Sequence, residues 1–118
     1  MATLREIPIF DRDRALARMD NDVELFKEIV QIYFSEVPEQ TAGMATALKN
    51  SDRVQIERLA HSLKSSSGNV GASLTSEIAR QIEDGAREKS IEVLSELFTK
   101  MQSEFEKFKI EINASQLI

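Results

Sequence analysis

The chain has 118 residues, with 15 Lys or Arg, 20 Asp or Glu, one His and no Cys, for a formal net charge of -5. That length suits one domain around one core and is too short for a catalytic domain with a separate regulatory one. Lack of Cys excludes disulfides, thiol chemistry and Cys-type zinc sites, and a negative balance without any basic stripe argues against a nucleic-acid partner. Leu, Ile, Val and Phe number 33, enough apolar surface to offset the ordering of the chain, so disorder is not expected. No window reaches the ~18 apolar residues of a membrane span, and residues 1–6 lead into no signal-like apolar stretch. The expectation is a cytoplasmic, unexported protein without membrane insertion.

Four Gly and two Pro leave little punctuation for the many turns of a β-sandwich, and no alternating Val/Ile/Thr-rich run occurs, so the chain is predicted to be all-α. Residues 1–8 are expected as a tail. Phe10, with Asp11 or Asp13 as cap, begins a short helix to about Met19. From Asn21 or Asp22 to about Leu48, Val23, Phe26, Val30, Phe34 and Val37 form one stripe, continued by Met44 and Leu48 beyond Pro38, where a kink or fresh start is expected. Leu25, Ile29 and Ile32 form a second apolar set, which places this helix centrally, buried on two sides or against the short N-terminal helix.

From Ser51 or Asp52, Ile56, Leu59, Leu63 and Val70 keep the helical spacing until Gly68 and Gly71 weaken it. Leu74, Ile78 and Ile82 repeat after Ser73, predicting a helix over 73–87 that ends near Gly85. Ile91, Leu94, Phe98, Met101, Phe105, Phe108 and Ile112 then follow a 3,4,3,4,3,4 spacing behind Ser90 as N-cap, a stripe of about six turns. Residues 113–118 are expected as a tail. Four main helices with short connections fit an antiparallel four-helix bundle over residues 9–112, with a short extra N-terminal helix.

The one histidine, His61, lies about 200° around its helix from both Leu59 and Leu63, on the side facing water. Arg58 and Lys64 flank it, and Ser65, Ser66, Ser67 and Gly68 run along the next two turns. Small residues in mid-helix give up propensity, about 1 kcal/mol for each Gly relative to Ala, which is costly unless another surface must come close. That pattern marks a docking site.

The stretch from His61 to Ala72 resembles the phosphoacceptor motif of the histidine phosphotransfer (HPt) domain family, His-x-Leu-Lys-Gly-Ser-Ser followed after a few residues by Gly-Ala. His61, Leu63, Lys64, Ser66, Ser67, Gly71 and Ala72 match in type and spacing, and Phe34 to Pro38, Leu48, Asp52, Ile82-Glu83 and Ala86 look like further family positions. Ser65 stands where the family usually has Gly. The resemblance implies a phosphocarrier of two-component signal transduction, whose His61 exchanges a phosphoryl group with an aspartate of a response-regulator receiver domain. It implies a hybrid sensor histidine kinase as a further partner. Lys64 would offset the charge arriving on His61, and Arg58, Ser65 and Gly68 would meet the receiver. No metal and no cofactor of its own are expected, Mg²⁺ being held by the receiver, and the chain is expected to be a monomer that cannot turn over alone.

Other chemistries fit poorly. No Gly-x-Ser-x-Gly elbow supports a hydrolase, one histidine cannot supply the two Glu-x-x-His units of a di-iron bundle, and Gly68-Asn69-Val70-Gly71 lacks the Gly-Lys-Ser/Thr of a Walker loop. Two alternatives remain open. One is the phosphoacceptor and dimerisation domain of a sensor kinase, although Ser62 follows His61 where that family has an acidic residue. The other is a helical adaptor that binds its partner through the His61 face without phosphorylation.

Overall fold

A computed structural model describes residues 6–115 and 117. Five helices follow in order: α1 (Arg12–Ala17), α2 (Val23–Lys49), α3 (Arg53–Asn69), α4 (Ser73–Gly85) and α5 (Ile91–Ala114). Side-chain caps start four of them. Asp11, Asp22, Asp52 and Ser90 each accept from a backbone N–H three residues on, satisfying a donor that has no partner inside the helix. Three-residue links join α2 to α3 and α3 to α4, so these neighbours run antiparallel, and the four long helices form the expected bundle with α1 as the short addition.

The fourth helix starts differently. Its N-cap is Ala72, which has no side chain able to cap, and Ser73 is already the first helical residue. The cap comes from the chain before α1: Leu74 N–H donates to the Pro8 carbonyl at 3.0 Å, and Asp11 N–H donates to the Gly71 carbonyl at 2.8 Å. Of the residues expected as a tail, 6–8 thus lie against the start of α4, with Ile7 packed on the core; 1–5 are outside the described residues. Gly71 permits this crossing. Its φ is +79°, and a Cβ there would sit 2.7 Å from the Asp11 carbonyl oxygen. At the other end α5 runs two residues past Ile112, and Leu117 is buried.

Pro38 does not restart α2, which is one helix of 27 residues. Proline leaves the Phe34 carbonyl without its intrahelical donor, a loss tolerated where the helix is held by packing on both sides of the proline. The second apolar set is only partly covered. Leu25 and Ile32 are 40% and 55% exposed, whereas Ile29 is half-buried and packs against the core. α2 contacts α1, α3 and α5, so it does lie against the short N-terminal helix as expected, while Leu25 and Ile32 stay exposed. The stripe of α5 is buried as expected, apart from half-buried Ile91. Aromatic rings join the N-terminal segment, α2 and α5: Phe10 stacks on Phe26 and meets Phe108 edge-on, while Tyr33 and Phe34 meet Phe105 and Phe108.

The small residues of α3 divide between two purposes. Ser67 is fully buried and bonded to the Tyr33 hydroxyl at 2.7 Å; Ser66 is half-buried with its hydroxyl on the Leu63 carbonyl; Ser65 alone faces water. Ser67 therefore lets α2 approach α3 and gives the buried Tyr33 hydroxyl a partner. It is no part of a docking surface, because it lies on the inner side of the helix. Burial pushes the Tyr33 phenol well above its ordinary range, so it stays protonated, and the Ser67 bond opposes that shift. Ser67→Ala is expected to cost about 1–3 kcal/mol in urea unfolding, since it strands a buried hydroxyl. Tyr33→Phe combined with Ser67→Ala is expected to cost less than the sum of the two single changes.

Candidate functional site

The most extensive helix pairing in the bundle is α3 with α4. The Ser76 hydroxyl donates to the Lys64 carbonyl at 2.7 Å, tying α4 to the middle of α3. At the start of α3, Arg53 Nη1 donates to the carbonyls of Ala86 and Lys89 beyond the end of α4. Between these ties Arg87 grips Glu57 through two parallel bonds, Nε to Oε2 at 3.0 Å and Nη2 to Oε1 at 3.2 Å. The register of the two helices is thereby fixed at three heights.

That register brings Glu83 of α4 under His61 and Lys64 of α3. The Glu83 carboxylate accepts from His61 Nδ1 at 2.6 Å through Oε2 and from Lys64 Nζ at 2.7 Å through Oε1. The His61 side chain is 62% exposed, whereas that of Glu83 is only 18% exposed, so the carboxylate acts as a floor on which the imidazole stands. A carboxylate can only accept, so in the neutral ring Nδ1 carries the hydrogen and Nε2 keeps its lone pair. The arrangement offers one nucleophilic nitrogen, held in orientation, with an ammonium one turn away.

Lys64 holds the Glu83 carboxyl below the usual carboxylate range; partial burial opposes this and the His61 bond adds to it. Because the folded value is depressed, the group contributes stability above its unfolded value, and that contribution is lost as pH falls through the folded one. Glu83→Gln keeps an acceptor and removes the charge. In urea unfolding across pH, the parent is expected to exceed this variant by about 1 kcal/mol near neutrality. The gap should close as pH drops below the ordinary carboxylate range.

The other residues singled out in the sequence are distributed around this centre. A cleft of about 460 Å³ is lined by Glu57, Arg58, His61, Ser62 and Glu83, so Arg58 shares the histidine's rim, exposed to water. Ser65, one turn beyond His61, is exposed. Gly68 is half-buried and turns toward α4, where a Cβ would come within 3.4 Å of the Ser76 hydroxyl, an ordinary contact. Glu83 carried no assigned role in the sequence beyond its place in Ile82-Glu83. Its partner lies 22 residues away, and only the pairing of two helices reveals it. Among the described residues, no group of three or more His, Cys, Asp or Glu is placed to hold a metal ion, and no helix is long and apolar enough to cross a membrane.

In comparison with known proteins, a family model described as Hpt domain matches residues 28–113. That stretch runs from the second turn of α2 to the end of α5 and contains His61, Lys64 and Glu83. No curated protein and no solved structure matches the chain.

Proposed function

Since the chain belongs to the Hpt domain family, whose members act in phosphorelay signalling as phosphocarriers and not as classical enzymes, we propose that His61 is its phosphoacceptor and that the phosphoryl group is carried on Nε2. The observation that carries this reading is the Glu83 carboxylate bonded to Nδ1 beneath an exposed ring. With Nδ1 occupied by its hydrogen and the bond to Glu83, Nε2 is the nitrogen with both a lone pair and access to a partner.

The chemistry follows from that geometry. An aspartyl phosphate on a receiver domain comes in line with Nε2, whose lone pair forms the N–P bond while the P–O bond to the aspartate breaks and its electron pair returns to the carboxylate. The ring then carries positive charge, and its Nδ1 hydrogen stays on the bond to Glu83. In the return direction the same protonated ring leaves as a neutral imidazole. Lys64 Nζ, on a flexible stem one turn away, offsets the charge of the phosphoryl group; it starts paired with Glu83 and has three donors to share. Arg58, Ser65 and Gly68 present the ground on which the receiver lies. The carrier needs no cofactor of its own, Mg²⁺ entering with the receiver. It works as a cytoplasmic monomer between a hybrid sensor histidine kinase and a response regulator.

Two substitutions test the assignment. His61→Gln should abolish formation of an acid-labile, base-stable phosphoryl group from a phosphorylated receiver and leave the helical circular dichroism unchanged, since the position faces water. Normal labelling of this variant would refute the phosphocarrier reading and leave an adaptor in its place. Lys64→Ala should slow transfer within the bound complex, or shorten the life of the phosphorylated state, by about tenfold, with a smaller loss of receiver affinity. Loss of affinity alone would make Lys64 a docking residue.

A further inference from the structure

Beside the histidine cleft lies a second depression of about 320 Å³, walled by the segment before α1, by α1 itself, by the end of α3 and by the start of α4. Arg14, Arg18, Lys64 and Arg80 line it with Glu77 as the one carboxylate, four cations against one anion in a chain whose net charge is -5. The cations are not equally engaged. Arg80 is taken up by Glu77 and Asp84, and Lys64 by Glu83. Arg18 donates only to the neutral side-chain oxygen of Asn69, at 3.2 Å, and Arg14 has no side-chain partner among the described residues. Gathering like charges in one hollow works against folding, and no carboxylate among the described residues forms an ion pair with Arg14 or Arg18.

Position says what would offset them. Lys64 belongs to this hollow and also to the Glu83 pair beneath His61, so the two sites are continuous. Gly68, on the wall of the hollow, is seven residues along α3 from His61, about 10 Å at the helical rise. A standard protein interface covers about 800 Å² on each side, a disc of roughly 16 Å radius, so a partner centred on His61 also covers the hollow. Arg14 lies in α1 and Arg18 caps its end, both before the matched stretch 28–113, so this wall is contributed by a segment outside the Hpt domain match.

We propose that this hollow is an electrostatic docking contact which takes an acidic surface segment of the receiver, a cluster of Asp and Glu side chains beside its phosphorylated aspartate, and that it sets encounter rate and partner choice. The proposal rests on the phosphocarrier reading. Complementary charge at the rim of an interface speeds association and rejects wrong partners without taking part in the chemistry. Arg14 and Arg18 should therefore govern how much receiver is needed and not how fast the bound pair reacts.

The test uses the full chain with the phosphorylated receiver domain, from a panel of the same organism, that labels it fastest. Arg14→Glu combined with Arg18→Glu should raise the receiver concentration for half-maximal rate by about tenfold and flatten its dependence on salt, while the rate at saturation stays unchanged. Arg14→Ala with Arg18→Ala should move it the same way by less. Lys49→Glu with Lys100→Glu makes the same change in net charge at exposed positions that do not line the hollow, and should shift half-saturation less than twofold. Half-saturation unchanged in the Arg14/Arg18 pair, or shifted equally by the lysine control, would overturn the docking proposal while leaving the phosphocarrier intact. Inorganic phosphate that binds the parent chain but not the double variant, with receiver half-saturation unmoved, would assign the hollow to a small anion and overturn it too. A parent chain that no receiver labels would sink the phosphocarrier reading, and this proposal with it.

Discussion

Glu83 accepts from His61 and Lys64 at once, and two bonds of 2.6 and 2.7 Å to side chains three residues apart leave α3 and α4 very little freedom to slide. A displacement of one residue along either helix is a 1.5 Å step and a 100° rotation, which would carry the carboxylate away from both donors. The rest of the α3–α4 contact serves this alignment. Ser76 holds the Lys64 carbonyl, Arg87 holds Glu57 and Arg53 holds the end of α4. The N-terminal segment contributes as well, because Pro8 supplies the cap that Ala72 cannot and so fixes where α4 begins. An imidazole that is mostly in water owes its orientation to a framework of backbone and side-chain bonds that is mostly out of it.

Much of this was legible in the sequence where the signal is local. The 3,4 spacing of the α5 stripe, the caps Asp11, Asp52 and Ser90 and the exposure of His61 all depend on residues within a turn or two of each other, and helical geometry decides them alone. Reasoning failed where distance along the chain grew. Nothing near Glu83 distinguishes it from the other carboxylates of α4, because its meaning comes from a neighbouring helix 22 residues back. The start of α4 at Ser73 could be read, but what caps it could not, because a crossing segment more than 60 residues earlier cannot be seen in local spacing.

The misreadings on α2 and α3 share one cause. Leu25, Ile29 and Ile32 have helical spacing, yet spacing shows only that residues share a face, not that another element covers it. Likewise a run of small residues indicates close approach without saying from which side. On α3 the same run serves both sides: Ser67 admits Tyr33 from within the bundle, Gly68 lies close to Ser76, and Ser65 is left at the surface. Gly71 shows the strictest version of the constraint, where positive φ and a carbonyl 2.7 Å from a would-be Cβ leave glycine as the one residue that fits without strain.

On the proposed phosphocarrier reading, a carboxylate beside the nitrogen that would receive phosphate looks at first like the wrong charge in the wrong place. At about 4 Å two unit charges interact by about 1 kcal/mol in water and about 4 kcal/mol at a surface of intermediate polarity, so an uncompensated Glu83 would repel the incoming group appreciably. Two features reverse the balance. Lys64 neutralises the carboxylate from the side of Oε1, and the ring stands between Oε2 and the far nitrogen, so Glu83 meets the imidazole hydrogen and not the phosphoryl oxygens. In the proposed transfer, when the N–P bond formed and the ring took up positive charge, the anion bonded to the ring would be Glu83, already in place and needing no reorganisation. The same carboxylate that orients the neutral ring would therefore stabilise the charged one, and on that reading the ammonium of Lys64 would become available to the phosphoryl group as the ring took up its share of Glu83.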